Sequence, residues 1–400
     1  MPQSQNFRQL TINMFNQIIK FIREIYQTDN PIPLHQPHFG GNEKRYIEES
    51  IDSTFVSSVG RFVDLFENKV AEYTGAKYAV ACVNGTAALH MALLLCDVKQ
   101  EDEVITQPLT FIATANAIAY TGAHPVFLDV DLDTLGLSPA KVQQFLEEFG
   151  ELRDDGFCYN KKTGRRISAC VPMHTFGLPV KIESLVSVCN RYNIPVIEDA
   201  AESLGSTYSG KHTGTFGKLG ILSFNGNKII TTGGGGMILT NDEKSGKMAK
   251  HLTTQSRIPH PWEYVHDHIG YNYRMPNINA ALGLAQMEQL DNFIDKKKIL
   301  HNLYGVFFKN NSISFIVEPH NASSNFWLNC ILLNDTKERD DFLKISCEKG
   351  VMTRPAWQLM NKLFMFENCQ RDDLSHAKWL QDRIVNIPSS INYEKSHCRR

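Results

Sequence analysis

The sequence lacks an excess of either charge, and it lacks closely spaced cysteines. Its 400 residues include 41 Lys and Arg against 43 Asp and Glu, and the formal net charge is -2. Such a balance offers no basic surface for nucleic acid or for an anionic membrane. Among its nine cysteines, the two nearest in sequence are Cys158 and Cys170, which excludes the C-x-x-C spacing of zinc and redox motifs. We therefore expect reduced thiols in a cytoplasmic protein, and we predict no metal site.

Long hydrophobic runs are also few. Residues 6–27 place apolar side chains at helical spacing, but basic residues interrupt them and no cleavage site of small residues follows. This pattern predicts an amphipathic helix that packs on the body of the protein or on a partner subunit, and neither a signal peptide nor a membrane helix. The longest apolar stretch, Tyr78–Cys96, contains the turn residues Asn84-Gly85-Thr86, which favour a strand followed by a helix.

From Gly75 onward, short β-branched runs alternate with helical stretches. The hydrophobic share of 42% and the charged share of 21% are those of an ordinary globular protein. Alternation of strands and helices predicts an α/β fold with a mostly parallel seven-stranded sheet that helices cover on both faces. The seven predicted strands lie near residues 79–83, 103–106, 125–130, 168–172, 195–199, 220–224 and 236–240.

The alternation loosens after about residue 277, where a smaller C-terminal α/β domain is predicted. It would contain a helical region over 277–308, a helix over 336–349, and strands near 325–333, 351–354 and 383–387. The chain length agrees with two to three domains at roughly 100–200 residues each. We predict an N-terminal amphipathic helix in residues 1–30, a large domain over 31–276 and a small domain over 277–400.

Parallel sheets bind ligands at the carboxyl ends of their strands, so residues that follow strands are candidates for chemistry. Gly85 and Thr86 follow the first strand and begin a helix, whose N-terminal amides and threonine hydroxyl could bind an anion. A plain glycine turn with a threonine cap is the alternative. Phe111 follows the second strand, where it could lie over a flat ligand or pack in the core.

Two further strand ends carry ionisable residues. Asp199 ends the fifth strand, and an acid there could pair with a ring-nitrogen cation, a metal or an arginine, or lie on the surface. Lys228 follows the sixth strand and precedes Gly233–Gly236. A desolvated lysine at that place would act as a nucleophilic amine, whereas an exposed one would only flank a flexible hairpin. Ser223 could contact the same anion as Thr86.

Five motifs occur in a fixed order: NGTAAL, LTFIATANAI, IEDAAESLG, SFNGNKIITTGGGG and GYNYRMPNINAALG. Together they resemble the DegT/DnrJ/EryC1/StrS family, whose members are aminotransferases that use pyridoxal 5'-phosphate (PLP) and act on nucleotide-linked keto sugars. The resemblance extends over about residues 31–390 and implies the PLP-dependent transferase fold of type I. Two segments, LHQPHFGGNEKRYIEESIDSTFVSSVGRFVDLFE and TRPAWQLMNKL, are similar to a narrower subgroup that acts in the legionaminic acid and bacillosamine pathways.

The resemblance implies a role for each candidate residue. Lys228 would bond covalently with PLP and carry protons, and Asp199 would pair with the pyridinium nitrogen. Phe111 would stack on the ring, and Glu202 would lie near the ring hydroxyl, where the family usually has Gln or His. The phosphate would be bound by Gly85, Thr86, Ala87 and Ser223, and by Asn272 of the neighbouring subunit in a homodimer with shared active sites.

The reaction implied is transfer of the amino group of L-glutamate, which becomes 2-oxoglutarate, to C4 of a UDP-linked 2-acetamido-4-keto-2,4,6-trideoxyhexose. The product would serve amino-sugar or surface glycan biosynthesis. Alternatives are another nucleotide-linked keto sugar, such as GDP-4-keto-6-deoxymannose, or a catalytically silent binding protein of the same fold. A related sugar dehydratase would have histidine in place of Lys228, and a silent protein would lack Lys228 or Asp199.

Four other residues qualify these expectations. Gly234 departs from the TTGEGG of the family, because it replaces the acid of that motif. Arg274 and Arg354 could bind phosphate or the donor carboxylate, or could form structural ion pairs. His174, a lone histidine at a strand end, is expected to be a hydrogen-bonded structural residue.

Overall fold

The computed structural model of the protein describes residues 2–393, with side chains from residue 11. Its α-helices are α1 (Pro2–Tyr26), α2 (Glu43–Asp52), α3 (Arg61–Thr74), α4 (Gly85–Leu95), α5 (Ile112–Tyr120), α6 (Pro139–Phe149), α7 (Ile182–Asn190), α8 (Glu243–Thr253), α9 (Asn277–Met287), α10 (Leu290–Asn310), α11 (Thr336–Glu348) and α12 (Ser375–Gln381). Short 3₁₀ helices cover Thr175–Gly177, Met360–Lys362 and Phe364–Phe366.

The β-strands are β1 (Tyr78–Cys82), β2 (Glu103–Thr106), β3 (His124–Phe127), β4 (Gly150–Leu152), β5 (Cys158–Asn160), β6 (Ile167–Val171), β7 (Ile197–Asp199), β8 (Thr207–Tyr208), β9 (Lys211–His212), β10 (Leu219–Ser223), β11 (Gly236–Thr240), β12 (Arg257–Ile258), β13 (Val265–His266), β14 (Ser314–Phe315), β15 (Ala322–Ser323), β16 (Asn329–Leu332), β17 (Arg354–Pro355) and β18 (Ile384–Ile387).

Seven strands form a central sheet in the order β3-β2-β6-β7-β10-β11-β1. Its two halves, β3-β2-β6 and β7-β10-β11-β1, meet where parallel bridges join Cys170 to Val196 and Met173 to Asp199. Six of these seven strands run in the same direction, and β11 runs opposite to them, between β10 and β1. The mostly parallel seven-stranded sheet predicted from the sequence is thus confirmed.

Helices cover both faces of this sheet, which explains why its strands are continuous apolar runs. Every residue of β2, β6 and β11 is buried. The helix α4 is apolar around most of its circumference and lies against β10 and β11. This composition is typical of a helix enclosed between a sheet and other helices. The carboxyl ends of the parallel strands open toward the start of α4, and this arrangement positions the candidate site.

A second, antiparallel sheet has the order β14-β16-β18-β17. It shares an apolar cluster with α10, α11 and the N-terminal helix α1, whose Phe15, Ile18 and Ile22 are fully buried there. The apolar face of α1 therefore packs on the body of its own chain. The domain boundaries at residues 30 and 276 stay a prediction. Among the described helices, none combines the length and apolar composition that crossing a bilayer requires.

Four predicted elements differ from those observed. Of the strand expected near 351–354, only Arg354 lies in a strand, β17, while Val351 forms an isolated parallel bridge with Ile32. The strand expected over 325–333 is confined to β16, because Phe326 has a φ of 47°, which interrupts extended backbone. The strand expected over 125–130 ends at Phe127, after which the chain leaves the sheet. The helical region expected over 277–308 consists of two helices, α9 and α10, with a break at Glu288–Gln289.

Candidate active site

A cavity of 290 Å³ opens at the carboxyl ends of β7 and β10, beside the first turn of α4. Such strand ends are the usual ligand-binding place of a parallel sheet. The cavity is lined by Asn84, Gly85, Thr86, Leu89, Phe111, Ala113, Met173, Asp199, Ala201, Glu202, Ile221, Ser223, Asn225, Asn227, Lys228, Gly235, Trp327 and Trp357.

The start of α4 forms one end of the cavity. The Asn84 side chain caps the helix by accepting a hydrogen bond from Ala87 N at 2.7 Å. The first amides of a helix have no acceptor within it and carry the positive end of its dipole. Gly85 and Thr86 line the cavity at this point, with Ser223 of β10 next to them. Amides and two hydroxyls therefore converge on a place suited to an anion.

Asp199, the last residue of β7, is buried with its carboxylate held from two sides. Thr114 Oγ1 donates to Oδ2 at 2.7 Å, and Ala201 N donates to Oδ1 at 3.2 Å. Burial raises the pKa of Asp199, while the hydrogen bonds from Thr114 and Ala201 and the charge of Lys228 oppose the rise. A buried acid in this position can stabilise a cationic ring nitrogen, so the surface alternative considered for Asp199 is excluded.

Lys228 contacts an acid and an aromatic ring. Its Nζ lies 3.1 Å from Glu202 Oε1 and 4.2 Å from the centre of the Trp327 ring. Glu202 is fully enclosed, and its second oxygen, Oε2, accepts from Phe176 N at 2.9 Å. Burial raises the pKa of Glu202, and the charge of Lys228 opposes this. The amine is largely buried, with 12% of its side chain exposed, so the alternative of a free surface lysine is excluded.

Three aromatic side chains border the cavity. Phe111 lies just before α5 and remains 49% exposed, so it is not a core residue. Trp357 approaches it edge-on, with ring centres 6.3 Å apart, and also packs on Phe176. The sequence patterns did not predict Trp327 and Trp357 as lining residues. Their segments, FWLN and TRPAWQ, lie more than 95 residues beyond Lys228, so no local signal places them here.

Some predicted site residues lie outside the cavity. Ala87 is buried, and its amide is occupied by Asn84. Asn272 is exposed and accepts from Arg274 at 3.2 Å. His174 is fully buried, where Nδ1 accepts from Val180 N and Nε2 lies 3.1 Å from Glu198 Oε2. The expectation of a structural role for His174 agrees with these contacts.

The residues around the cavity fit PLP in their chemistry. Lys228 provides an amine, Asp199 a buried carboxylate and the start of α4 an anion site. A Cβ atom on Gly85 would lie only 3.0 Å from Ser223 Cβ, so glycine is what allows the helix start to approach this hydroxyl so closely. The three groups that PLP requires therefore face one cavity.

Comparisons with known proteins agree with this chemistry. A sequence model of the DegT/DnrJ/EryC1/StrS aminotransferase family matches residues 37–400. EpsN of Bacillus subtilis, by name a pyridoxal phosphate-dependent aminotransferase, is 40% identical over 366 residues, which cover 90% of this chain and 91% of EpsN. GDP-perosamine synthase of Escherichia coli O157:H7 is 39% identical over 363 residues, covering 90% and 93% of the two chains.

Solved structures show the same fold. The aminotransferase TlmJ from Streptoalloteichus hindustanus superimposes with a TM-score of 0.83 at 24% identity, covering 92% of this chain and 95% of TlmJ. Helicobacter pylori PseC, an aminotransferase of pseudoaminic acid biosynthesis, has a TM-score of 0.82 at 22% identity, with coverage of 92% and 95%. The chain therefore belongs to the DegT/DnrJ/EryC1/StrS family and is a PLP-dependent sugar aminotransferase of fold type I.

Proposed function

We propose that the enzyme aminates C4 of a nucleotide-linked 4-keto-6-deoxy sugar, with Lys228 as its reactive amine and Asp199 as the partner of the cofactor nitrogen. One observation carries this assignment: the amine, the buried acid and the start of α4 all face a single cavity. PLP, when bound, supplies an electron sink that stabilises negative charge at the carbon atom attached to the transferred nitrogen.

The residues of the chain divide the remaining work. Lys228 Nζ would accept the proton from the α-carbon of the amino donor in the first half of the reaction, and would supply a proton at C4 of the sugar in the second half. Asp199 keeps the ring nitrogen protonated, because an anion beside it favours the charged form. Glu202, in contact with Lys228 Nζ, neutralises the ammonium between proton transfers.

The anion site would hold the phosphate, through the Gly85 and Thr86 amides and the Thr86 and Ser223 hydroxyls. Ala87 would contribute through the helix dipole, since its amide is already bonded to Asn84. Phe111 would cover one face of the ring.

For the sugar we propose a UDP-linked 2-acetamido-4-keto-2,4,6-trideoxyhexose, aminated with L-glutamate to the gluco-configured product. Support comes from the segments that resemble the legionaminic acid and bacillosamine subgroup, one of which contributes Trp357 to the cavity wall. Arg274 and Arg354 have no salt bridge to any side chain among residues 11–393. Arg274 donates to Asn272 Oδ1 and Arg354 donates to Thr353 O. Because these partners carry no charge, either guanidinium could still pair with the diphosphate or the donor carboxylate.

A second candidate substrate is GDP-4-keto-6-deoxymannose. The observation in its favour is the identity of 39% and 36% to two relatives named GDP-perosamine synthase, from Escherichia coli O157:H7 and Caulobacter vibrioides. Both candidates require the same C4 chemistry, and they differ in the nucleotide and at C2 of the sugar.

We also propose a homodimer in which Asn272 reaches the phosphate of the neighbouring subunit. Asn272 lies at the surface, outside the cavity of its own chain. The hairpin before it exposes Trp262, Tyr264 and Ile269, each by 75% or more. A cluster of large exposed apolar side chains is typical of an interaction surface.

The test is a panel of UDP- and GDP-linked 4-keto-6-deoxy sugars, with and without the 2-acetamido group, incubated with L-glutamate. We expect glutamate-dependent conversion of the UDP-linked N-acetyl sugar, with a C4 proton that couples strongly to both neighbours in the NMR spectrum. Turnover confined to GDP-linked sugars would contradict the proposed UDP-linked substrate, but it would agree with the aminotransferase reaction. Absence of amination across the whole panel would contradict the function at C4.

A further inference from the structure

Two histidines and an aspartate meet at the base of the hairpin that β12 and β13 form. His251 lies in the last turn of α8, and Asp267 and His268 follow β13. Asp267 Oδ1 lies 2.6 Å from His251 Nε2 and 2.9 Å from His268 Nδ1. The three possible ligand atoms lie within 4.8 Å of one another. None of these residues lines the candidate active site, and we call the group the hairpin-base cluster.

The donor atoms of this cluster are those of a transition-metal site. Zinc accepts imidazole nitrogen and carboxylate oxygen together, and three such ligands leave a fourth place for water. In a tetrahedral site with bonds of about 2.0–2.2 Å, the ligand atoms lie roughly 3.4 Å apart. The carboxylate would therefore move away from the two rings by less than about 1 Å. Magnesium and calcium prefer sites made of oxygen, so this donor set disfavours them.

No basic side chain competes with an ion for Asp267. Across residues 11–393, its salt-bridge partners are His251 and His268, and neither a lysine nor an arginine is among them. Each imidazole can bind an ion through the nitrogen that faces Asp267, because its proton can reside on the other ring nitrogen. An ion can therefore replace these two contacts without separating any other charged pair of the cluster.

The backbone holds the two segments of the cluster close together. Ser256 N donates to His251 O at 2.9 Å, and Ser256 O accepts from Asp267 N at 3.3 Å. Gln255 and Ser256 have φ values of 65° and 53°, which are uncommon for residues other than glycine. The Ser256 hydroxyl is buried and has no hydrogen-bond partner in the described part of the chain. Because the fold itself brings the ligands together, binding an ion costs less ordering of the chain.

The hairpin has little else to hold it in place. Its two strands contain two residues each, and Trp262, Tyr264 and Ile269 are exposed by 75% or more. A two-stranded hairpin is at best marginally stable by itself. An ion at its base would fix it to α8 and would order the segment that leads to Asn272.

We propose that His251, Asp267 and His268 bind a divalent transition-metal ion of the zinc class, which fastens the hairpin to α8. The ion has a structural role, because its ligands lie outside the cavity. This inference goes beyond the proposed function and does not depend on it. It differs from the expectation of no metal site, which considered cysteine spacing, whereas these ligands come from two elements that meet only in the folded chain.

The experiment measures zinc binding by the full-length protein with its cofactor, freed of metal by a chelator that is then removed. Zinc is titrated at pH 7.5 in competition with a chromophoric chelator of known affinity. His268→Gln removes one ligand, and Asp267→Asn removes the charge of another. His260→Gln is the matched control, because His260 lies in the same hairpin, 4.0 Å from Glu263, and outside the cluster. The substituted side chains are 34% exposed or more, so their circular dichroism spectra should be unchanged.

We expect one zinc ion per chain in the wild type and in His260→Gln, with equal affinity. His268→Gln and Asp267→Asn should bind zinc at least about 10- to 100-fold more weakly, since loss of even a hydrogen-bond partner of a ligand has an effect of this size. Equal affinity in the wild type and these two variants would overturn the proposal.

A second measurement identifies the ligands by the spectrum of the ion. Cobalt in place of zinc should give the visible bands of a tetrahedral or five-coordinate ion, at longer wavelength than the absorption of the cofactor. These bands should be absent from His251→Gln, and their persistence there would contradict the ligand set. Amination of the sugar is assayed separately, so failure of the proposed function would leave the zinc result intact.

Discussion

Thr114 donates its hydroxyl hydrogen to Asp199 Oδ2 at 2.7 Å. The donor lies in the first turn of α5, three residues after Phe111, and the acceptor lies at the end of β7. One helix start therefore carries the exposed aromatic ring and also orients the buried acid. Because the hydrogen bond favours the carboxylate form, it opposes the rise in the pKa of Asp199 that burial causes.

This relationship gives the first prediction, for Thr114→Val. The substitution keeps the side-chain shape and removes the donor, so the pKa of Asp199 should rise further. We expect the acidic limb of the kcat/KM profile to move to higher pH by about one to two units, since loss of one hydrogen bond to a charged group costs roughly 1.5–3 kcal/mol. Thr121→Val, at the other end of α5, should leave the limb in place. An unmoved limb in Thr114→Val would contradict the coupling.

Asp199→Asn tests the acid directly. The two side chains have the same shape, but the amide carries no charge to hold the ring nitrogen protonated. We expect turnover to fall by more than about 100-fold, equivalent to roughly 2.7 kcal/mol of barrier, with an unchanged circular dichroism spectrum. Turnover within about tenfold of the wild type would show that Asp199 does not act as the partner of the nitrogen.

Lys228→Ala should remove nearly all turnover, because none of the other described residues that line the cavity carries an amine. We expect a loss of at least about 10²–10⁴-fold, the range of general acid–base catalysis. In the wild type, reduction with borohydride should attach the cofactor to the peptide that contains Lys228. The control is Lys218→Ala, whose side chain is exposed. An active Lys228→Ala enzyme, or attachment to another peptide, would refute the assignment.

The sequence was sufficient to predict the sheet and the residues of its strand ends. The strands of the sheet are uninterrupted apolar runs. Asp199 ends one of them, and Gly85 and Lys228 follow the ends of two others within a few residues, so their common edge was predictable. The place of Trp327 in the cavity wall was not predictable from its local sequence. Its backbone is held by hydrogen bonds with Asn325 and with Lys297 of α10, and the contact with α10 forms only in the folded chain. The positive φ of Phe326 shortened the expected strand for the same reason: tertiary contacts hold this segment in a conformation that its apolar pattern does not indicate.

Asn272→Ala tests the proposed sharing of sites between subunits. Asn272 makes few contacts in its own chain, where it accepts a hydrogen bond from Arg274, so the substitution should leave the melting temperature nearly unchanged. We expect cofactor to be lost faster on dialysis, with the dimer intact in sedimentation. Asn311→Ala, a substitution at an exposed asparagine on α10's end, should retain cofactor like the wild type. A fully active monomer would exclude the shared site.

The last prediction concerns stability at acidic pH and depends on His212. This buried residue accepts a hydrogen bond from Gly205 N at Nε2, 2.7 Å away, and its Nδ1 donates to Thr213 O. A second proton on Nε2 would displace the Gly205 amide. Burial lowers the pKa of His212 to about 4, against about 6.5 in an unfolded chain.

Between these two values the unfolded chain binds the proton and the folded chain does not, so the free energy of unfolding must fall as the pH drops from 6.5 toward 4. The contribution of His212 to this fall is about 3 kcal/mol. In His212→Gln the amide oxygen can still accept from Gly205 and does not titrate. Urea unfolding at pH 7.5 and pH 4.5 should therefore show a smaller loss of stability in His212→Gln than in the wild type. His320→Gln, at an exposed position, should keep the wild-type loss, and equal losses in all three proteins would contradict the role of His212.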